Sequence, residues 1–138
     1  MQSRLNPYLN FVGNTREAME FYKSVFGGKL TFSTYKDYNV SDDPNEQDKI
    51  MHSQLEADNG ISFMAADIMR HMEYRPGNHM AMTLSGDNKE ELSAYFNKLA
   101  AGGTVQNPLT EAPWGDTFGS LIDKYGIEWM VNIAGRQA

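Results

Sequence analysis

Cysteine is absent from this chain of 138 residues, and every function that needs a thiol is excluded with it. The chain cannot form a thiolate nucleophile, a CxxC redox pair, a cysteine-ligated zinc site or an iron–sulfur cluster, and nothing indicates the disulfide scaffold of a secreted protein. A chain of this length buries enough surface to fold without such cross-links. We therefore predict a cytoplasmic location.

Clusters of basic residues and long apolar runs are also missing. The chain has 12 Lys and Arg residues against 18 Asp and Glu residues, and its formal net charge of −6 repels nucleic acid and anionic lipid. No apolar run approaches the ~20 residues that span a bilayer, and the first residues lack the apolar core of a signal peptide. The predicted partners are therefore small molecules and other proteins, without nucleic acid or membrane.

The sequence does contain a pattern of glycine, capping and apolar residues that occurs twice. Gly13-Asn14 and Gly86-Asp87-Asn88 each precede a run in which apolar residues recur at spacings of three and four, and Gly-Gly follows each run. This spacing predicts an amphipathic helix that begins at a capping Asn or Asp and ends at glycine. The chain is therefore predicted to consist of two similar halves.

A second repeat pairs Gly60-Ile61-Ser62-Phe63-Met64 with Gly126-Ile127-Glu128-Trp129-Met130. Each segment follows an Asp-containing turn between two alternating apolar runs, which predicts a β-hairpin. With one strand before and one after each helix, each half has the order β-α-β-β-β, which is an α+β fold. The predicted strands cover about 4–12, 28–36, 49–57, 60–67, 78–85, 103–107, 117–123 and 126–134.

An ordered series of short motifs runs through nearly the whole chain: Asn6-Pro7-Tyr8-Leu9, Phe11-Val12-Gly13-Asn14, Phe21-Tyr22, Val25-Phe26-Gly27-Gly28, Met51-His52, Asp67, Ala100-Ala101-Gly102-Gly103, Trp114, Phe118-Gly119, Asp123, Gly126 and Trp129-Met130-Val131-Asn132. This series resembles the PhnB-like group of the vicinal oxygen chelate superfamily, which includes glyoxalase I, bleomycin resistance proteins and extradiol dioxygenases. The resemblance implies one glyoxalase/bleomycin-resistance-like domain over residues 1–138. Its two modules, about 1–70 and 76–138, would form one cupped mixed sheet, and the protein would be a homodimer.

The resemblance also implies where a metal would bind. Metal-dependent members take His or Gln ligands from the first strand of each module and Glu ligands from the last. These positions correspond here to Pro7 (or Asn6, if the register slips by one), His79, Met64 and Met130. Proline and methionine do not bind the hard divalent cations that this chemistry uses. We therefore predict no metal or other cofactor, with the two methionines either on an apolar pocket floor or simply filling the core.

The third predicted strand carries the main candidate for catalysis. Alternation places His52, Gln54 and Glu56 on one face of this strand. If that face lines the cup, His52 and Gln54 bind a ligand by hydrogen bonds and His52 is a candidate general base; otherwise the face is solvated. His79 is the second candidate, because it falls on the small, polar face of the predicted strand 78–85.

Three further residues belong to the predicted ligand-binding set. Tyr8 and Asn10 lie on the first strand, where a slip of one residue would turn both to the other face. Trp114 lies in a proline-bounded loop, where its indole closes over a ligand or fills a dimer interface. The complete predicted set is Tyr8, Asn10, His52, Gln54, Met64, His79, Trp114 and Met130.

These residues predict a homodimeric protein that binds a hydrophobic or aromatic small molecule without the usual metal. One alternative is a glyoxalase-like lyase or isomerase that uses His52 and His79 as an acid–base pair, or together with Glu56 as a displaced metal site. Another is a partner-binding dimer whose cup is collapsed. No adenosylmethionine-binding Rossmann motif is present, so methyltransferase activity is not expected.

Overall fold

Each half of the chain folds into a four-stranded sheet with one helix packed on it. The computed structural model describes residues 3, 5–38, 43–69 and 72–135. The chain divides into two units, residues 1–76 and residues 77–138. In chain order, the elements are β1 (Tyr8–Phe11), α1 (Thr15–Phe26), β2 (Lys29–Thr34), β3 (Ile50–Glu56), β4 (Ser62–Asp67), β5 (Met82–Gly86), α2 (Lys89–Ala100), β6 (Thr104–Glu111), β7 (Thr117–Ile122) and β8 (Glu128–Ile133).

The two sheets have the same topology. The strand order is β1-β4-β3-β2 in the first sheet and β5-β8-β7-β6 in the second. The pairs β1–β4 and β5–β8 are parallel, and the other neighbours are antiparallel. The predicted order β-α-β-β-β in each half and the α+β class are therefore confirmed.

α1 buries one side against the first sheet. Its buried residues include Ala18, Met19, Tyr22 and Phe26, at the predicted spacing of three and four. The Tyr22 and Phe26 rings lie 5.5 and 6.2 Å from the ring of Phe63 on β4. Because side chains alternate along a strand, Phe63 identifies the face of the sheet that the helix covers.

The first turn of α1 is capped from a distant strand. Asn14 makes no side-chain capping bond, so the predicted cap is wrong here. Instead, Asp67 at the end of β4 accepts hydrogen bonds on Oδ1 from the backbone N of Thr15 at 3.1 Å and from Thr15 Oγ1 at 2.7 Å. Its Oδ2 accepts a third from the backbone N of Ile50 at 2.9 Å. One buried carboxylate thus joins α1, β3 and β4 and satisfies the helix terminus without a local cap.

α2 has the local cap that α1 lacks. Asn88 Oδ1 accepts a hydrogen bond from the backbone N of Glu91 at 3.0 Å, as predicted. Phe96 of this helix packs closely over β7, where a Cβ added to Gly119 would lie 2.9 Å from Phe96 Cε2. Each of the two helices has 12 residues, and no helix in the described ranges is long and apolar enough to cross a membrane.

Two strand boundaries differ from the sequence predictions. β5 begins at Met82 and not near residue 78, because its partner β8 begins at Glu128 and Trp129 already lies opposite Met82. The residues before Ala81 therefore lie beyond the start of β8. β6 continues to Glu111 and not only to residue 107, and it stays paired with β7 through two shifts of register. Each boundary depends on the partner strand, and the residue pattern within one segment carries no information about that partner.

Candidate functional site

The candidate site is the face of the first sheet that α1 does not cover, which we call the helix-free face. The strand register places Tyr8 of β1 opposite Met64 of β4, and Met64 opposite Gln54 of β3. Residues that pair across strands point to the same side of a sheet, so these three side chains form one row. By the same alternation, the face also carries Asn10, Lys29, Thr31, Ser33, His52, Glu56, Ser62 and Ala66.

The predicted alternation along β3 is confirmed. Ser53 and Leu55 are fully buried on the face toward the helix. His52 and Gln54 are partly exposed and Glu56 is exposed, so these three side chains share the helix-free face. Their role in ligand binding stays a prediction.

Tyr8 and His52 form a ring pair on this face. Their ring centroids lie 6.2 Å apart, with the ring planes tilted by 38°. Partial burial raises the pKa of the Tyr8 phenol above its usual value of 10.0. The phenol is therefore neutral at physiological pH. Since Tyr8 is 46% exposed, part of its ring surface is available to a planar ligand.

Three polar side chains on the helix-free face carry hydrogen-bonding atoms that the described residues leave unused. Within the part of the chain that the structure describes, the side chains of Asn10, His52 and Gln54 make no hydrogen bond. An amide and an imidazole each present donor and acceptor atoms. Together with Tyr8 and Met64, these groups combine apolar contact area with hydrogen-bonding atoms on one face of the sheet.

A buried polar cluster beside Tyr8 was missed by sequence reasoning. Tyr35 is buried, and its Oη donates a hydrogen bond to the backbone O of Asp67 at 2.7 Å. Burial raises the pKa of the Tyr35 phenol, and the negative charges of ionised Tyr8, Asp67 and Glu46 raise it further. Tyr35 falls within the predicted strand 28–36 but lies one residue beyond the end of β2, and alternation within that strand does not reveal a contact with Asp67, which is 32 residues away.

The second sheet repeats the row with different residues. Met130 of β8 lies opposite Thr83 of β5 and Ser120 of β7, so it occupies the register position that corresponds to Met64. Asn107 Nδ2 donates a hydrogen bond to Ser120 Oγ at 2.8 Å. This row is smaller and more polar than the first, and it has no aromatic residue opposite its methionine.

Two more residues share the face of Met130. Phe118 lies opposite Asn132, which is two residues after Met130 on β8. Sequence reasoning missed both Phe118 and Asn132. Alternation from Met130 would have identified Asn132, and the hairpin pairing would then have identified Phe118.

His79 does not lie on a strand, so its predicted placement is wrong. It is exposed and precedes β5, whose first residue is Met82. The residue of β5 that lies opposite Met130 is Thr83. Thr83, and not His79, therefore corresponds to the residue of β1 opposite Met64. A catalytic or ligand-binding role of His79 remains a prediction, and the strand register does not position this residue.

The misplacement of His79 has an identifiable cause. The sequence repeat matches Gly86 with Gly13, because each glycine precedes a capping residue and a helix. The register instead pairs Gly86 with Ile133 at the end of the β5–β8 ladder, where the β1–β4 ladder pairs Phe11 with Asp67. Gly86 is thus the counterpart of Phe11, so a position of β5 that is matched to β1 through Gly86 and Gly13 is wrong by two residues.

Trp114 lies in the turn between β6 and β7. The backbone N of Ala112 donates to the O of Asp116 at 2.6 Å, and the N of Gly115 donates to the O of Ala112 at 2.9 Å. Trp114 is 77% exposed and is therefore not part of the core of the second unit. Its two predicted roles, closure over a ligand and contact in a dimer, stay predictions.

The residues present do not fit a hard divalent cation. His52 and Glu56 lie on one strand four residues apart, about 13 Å along the strand axis, whereas bonds from one ion to its ligands are about 2.0–2.2 Å. In the described ranges, no group of three or more His, Asp or Glu side chains is arranged to hold a metal ion. The thioethers of Met64 and Met130 are soft donors that such ions do not select.

A groove of about 570 Å³ lies elsewhere in the first unit, where α1 begins and β3 begins. Its walls include Arg16, Glu17, Asp48 and Lys49, which carry charges of both signs. No residue of the predicted ligand-binding set lines it. The mixed charge is typical of a solvated cleft and unlike the predicted apolar pocket.

Comparisons with known proteins agree with this fold. Residues 4–131 match the model of the Glyoxalase/Bleomycin resistance protein/Dioxygenase superfamily. Protein YjdN of Escherichia coli (strain K12) is 28% identical over 142 residues, which cover 96% of this chain and 97% of YjdN. The crystal structure of protein PA1353 from Pseudomonas aeruginosa is similar at 36% identity and a TM-score of 0.80, with 96% of this chain and 98% of that chain covered.

A second solved structure bears on the PhnB-like resemblance. It is a putative 3-demethylubiquinone-9 3-methyltransferase, PhnB protein, from Bacillus cereus, with 29% identity, a TM-score of 0.72 and coverage of 96% of this chain and 100% of that chain. The predicted resemblance to the PhnB-like group is therefore confirmed. With most of its length matched by the family model, the chain belongs to the glyoxalase/bleomycin resistance protein/dioxygenase superfamily.

Proposed function

We propose that the protein binds a hydrophobic or aromatic small molecule on the helix-free face of its first sheet. The observation that supports this most is the row of Tyr8, Met64 and Gln54, with His52 in ring contact with Tyr8. Tyrosine and methionine provide apolar, polarisable contact area. Gln54 and His52 provide a few polar groups that orient a ligand. This combination matches a ligand with an aromatic ring.

The proposal includes the absence of the superfamily's usual catalytic metal. It is supported by the chemistry of the residues opposite one another in the two parallel pairs, Tyr8 with Met64 and Thr83 with Met130. None of these four side chains is an imidazole or a carboxylate, which are the ligands that hard divalent cations require. Binding is therefore proposed to rest on ring contact and hydrogen bonds.

We expect the protein, purified without chelators or a metal-affinity tag, to contain well below one divalent ion per chain. The physical reason is that a site offering thioether and hydroxyl groups does not retain Mg²⁺, Mn²⁺ or Zn²⁺ against water. Elemental analysis by mass spectrometry measures this directly. A near-stoichiometric divalent ion would contradict the proposal.

We expect naphthalene to bind the wild-type protein and Tyr8→Ala to weaken that binding about tenfold. The variant loses the aromatic contact and part of the apolar area, and a factor of ten corresponds to about 1.4 kcal/mol. A titration followed by ¹⁵N–¹H correlation spectra gives the affinity, and the shifted amides of β1, β3 and β4 report where the probe binds.

Tyr74→Ala is the matched control for this titration. Tyr74 is 46% exposed, as Tyr8 is, but it lies outside the strands of the first sheet. Naphthalene affinity should be unchanged in this variant. Equal weakening in both variants, or shifts confined to residues away from the helix-free face, would argue against the proposed site.

A homodimer and a cytoplasmic location also belong to the proposal. The first rests on the family resemblance and the second on the absence of cysteine.

Methyltransferase activity does not belong to the proposal, although the Bacillus cereus protein is described as a putative methyltransferase. In the described ranges, each sheet has one parallel pair of strands, which differs from a doubly wound sheet that binds a nucleotide-like cofactor.

A further inference from the structure

Asn59 has an unusual backbone conformation for a residue other than glycine. Its φ is 64°, and among the described non-glycine residues it alone has a positive φ. Gly60, which follows it, has a φ of 76°. The backbone N of Ile61 donates to the O of Asp58 at 3.4 Å, so Asn59 and Gly60 are the central residues of a four-residue turn. Positive φ at both central positions is typical of a type I′ turn, and Asn-Gly is a dipeptide that this turn favours.

This turn is exposed and weakly closed. Asn59 and Gly60 are both exposed, and no atom outside the adjacent residues lies within 4 Å of the place where a Cβ on Gly60 would be. The closing bond of 3.4 Å is longer than the usual N–H···O range of about 2.7–3.2 Å, so it holds the turn only weakly. The turn can therefore open locally while the sheet stays intact.

The side-chain amide of Asn59 and the backbone nitrogen of Gly60 can react with each other when the turn opens. Gly60 N attacks Cγ of Asn59, and the missing Cβ of glycine leaves the approach unhindered. The bond between Gly60 N and Cγ forms and the bond between Cγ and Nδ2 breaks. Nδ2 leaves as ammonia and takes the proton that Gly60 N loses. The product is a five-membered succinimide ring.

Water then opens the succinimide at one of its two carbonyl carbons. Attack at Cγ breaks the bond from Cγ to Gly60 N and gives aspartate at position 59. Attack at the backbone carbonyl carbon of residue 59 breaks the other bond to Gly60 N, so the main chain continues through Cγ as isoaspartate. Both routes consume water, release ammonia and add one carboxylate to a chain whose net charge is already −6.

Isoaspartate alters the turn more than aspartate does, because it adds one methylene to the main chain. The turn connects β3 to β4, and the backbone N of Ala57 donates to the O of Ile61 at 2.8 Å directly beside it. Turn type and loop length fix the register of a hairpin. A longer main chain at this point therefore weakens the pairing that places Gln54 opposite Met64.

We infer that Asn59 is a site of spontaneous covalent modification, where the Asn59-Gly60 turn converts through a succinimide to aspartate and isoaspartate, and that the isoaspartyl form is less stable. The inference goes beyond the proposed function and does not depend on it. The reaction needs only water as a co-reactant, and asparagine is among the thermally labile residues of proteins.

Incubation of the wild-type protein at 37 °C and pH 8, followed by peptide mapping with mass spectrometry, tests the inference. We expect a gain of about 1 Da at Asn59, about tenfold faster than at Asn45 and Asn78. These two asparagines are also exposed, but Glu46 and His79 follow them in place of glycine. The conversion should be slower at pH 5, because the attacking nitrogen must lose its proton.

Two variants serve as controls. Asn59→Gly removes the amide and accepts a positive φ, so it should keep the turn and abolish the early mass gain. Asn59→Asp gives the aspartyl product alone, and the isoaspartyl fraction of the wild type, separated by chromatography, should melt at a lower temperature than this variant.

Four results would overturn the inference. The first is conversion at Asn59 no faster than at Asn45 and Asn78, and the second is a mass gain of Asn59→Gly as fast as that of the wild type. The third is a product that is aspartate alone, which indicates direct hydrolysis of the side chain. The fourth is an isoaspartyl fraction that melts together with Asn59→Asp.

Discussion

Asp67→Ala is expected to lower the free energy of unfolding by about 3–4 kcal/mol, one of the largest effects of any single substitution in the first unit. The carboxylate accepts hydrogen bonds from the backbone N and Oγ1 of Thr15 and from the backbone N of Ile50. Removing it uncaps α1, at about 1–2 kcal/mol, and leaves buried N–H groups unsatisfied. Urea unfolding followed by far-UV circular dichroism measures the loss.

Two further variants identify which bonds carry the effect. In Asp67→Asn the amide oxygen can accept from Thr15 while the NH₂ group faces the backbone N of Ile50, or it can accept from Ile50 while the NH₂ group faces Thr15. One side keeps its acceptor in either orientation, so a smaller loss is expected than for alanine. Thr15→Val keeps the shape of the residue and removes only the hydroxyl bond of 2.7 Å, for which we expect about 1–1.5 kcal/mol. A loss below 1 kcal/mol in Asp67→Ala would contradict the structural role assigned to this carboxylate.

The Asp67 cap also shows where prediction from sequence stops. Asn14 stands at the position where local patterns place a cap, and at α2 the equivalent Asn88 does cap the helix. At α1 the cap comes from a residue 52 positions away along the chain. A local pattern contains no information about such a partner, because it depends on how β1 and β4 pair.

The same distinction applies to the candidate site. Alternation placed His52, Gln54 and Glu56 on one face because the period of two is a property of the strand itself. His79 was misplaced because the beginning of β5 depends on where β8 begins.

Trp129→Ala is expected to be the most damaging substitution in the second unit, with a loss of about 3–5 kcal/mol. The indole is 1% exposed, and its Nε1 donates a hydrogen bond to Asp123 Oδ2 at 2.8 Å. Asp123 Oδ1 also accepts from the backbone N of Tyr125 and Ile127, so the carboxylate fixes the β7–β8 turn. The substitution creates a cavity and removes the indole hydrogen bond to a buried carboxylate.

The other tryptophan and a conservative variant complete this test. Trp114 is 77% exposed, so Trp114→Ala should change the free energy of unfolding by less than about 0.5 kcal/mol. Trp129→Phe retains most of the buried ring but loses the bond to Asp123, for which about 1.5–3 kcal/mol is expected because the acceptor is charged. In Asp123→Asn the additional cost of Trp129→Phe should shrink, since the acceptor is then neutral, and a double-mutant cycle measures the difference. Equal costs of Trp129→Phe in both backgrounds would show that the indole contributes through packing alone.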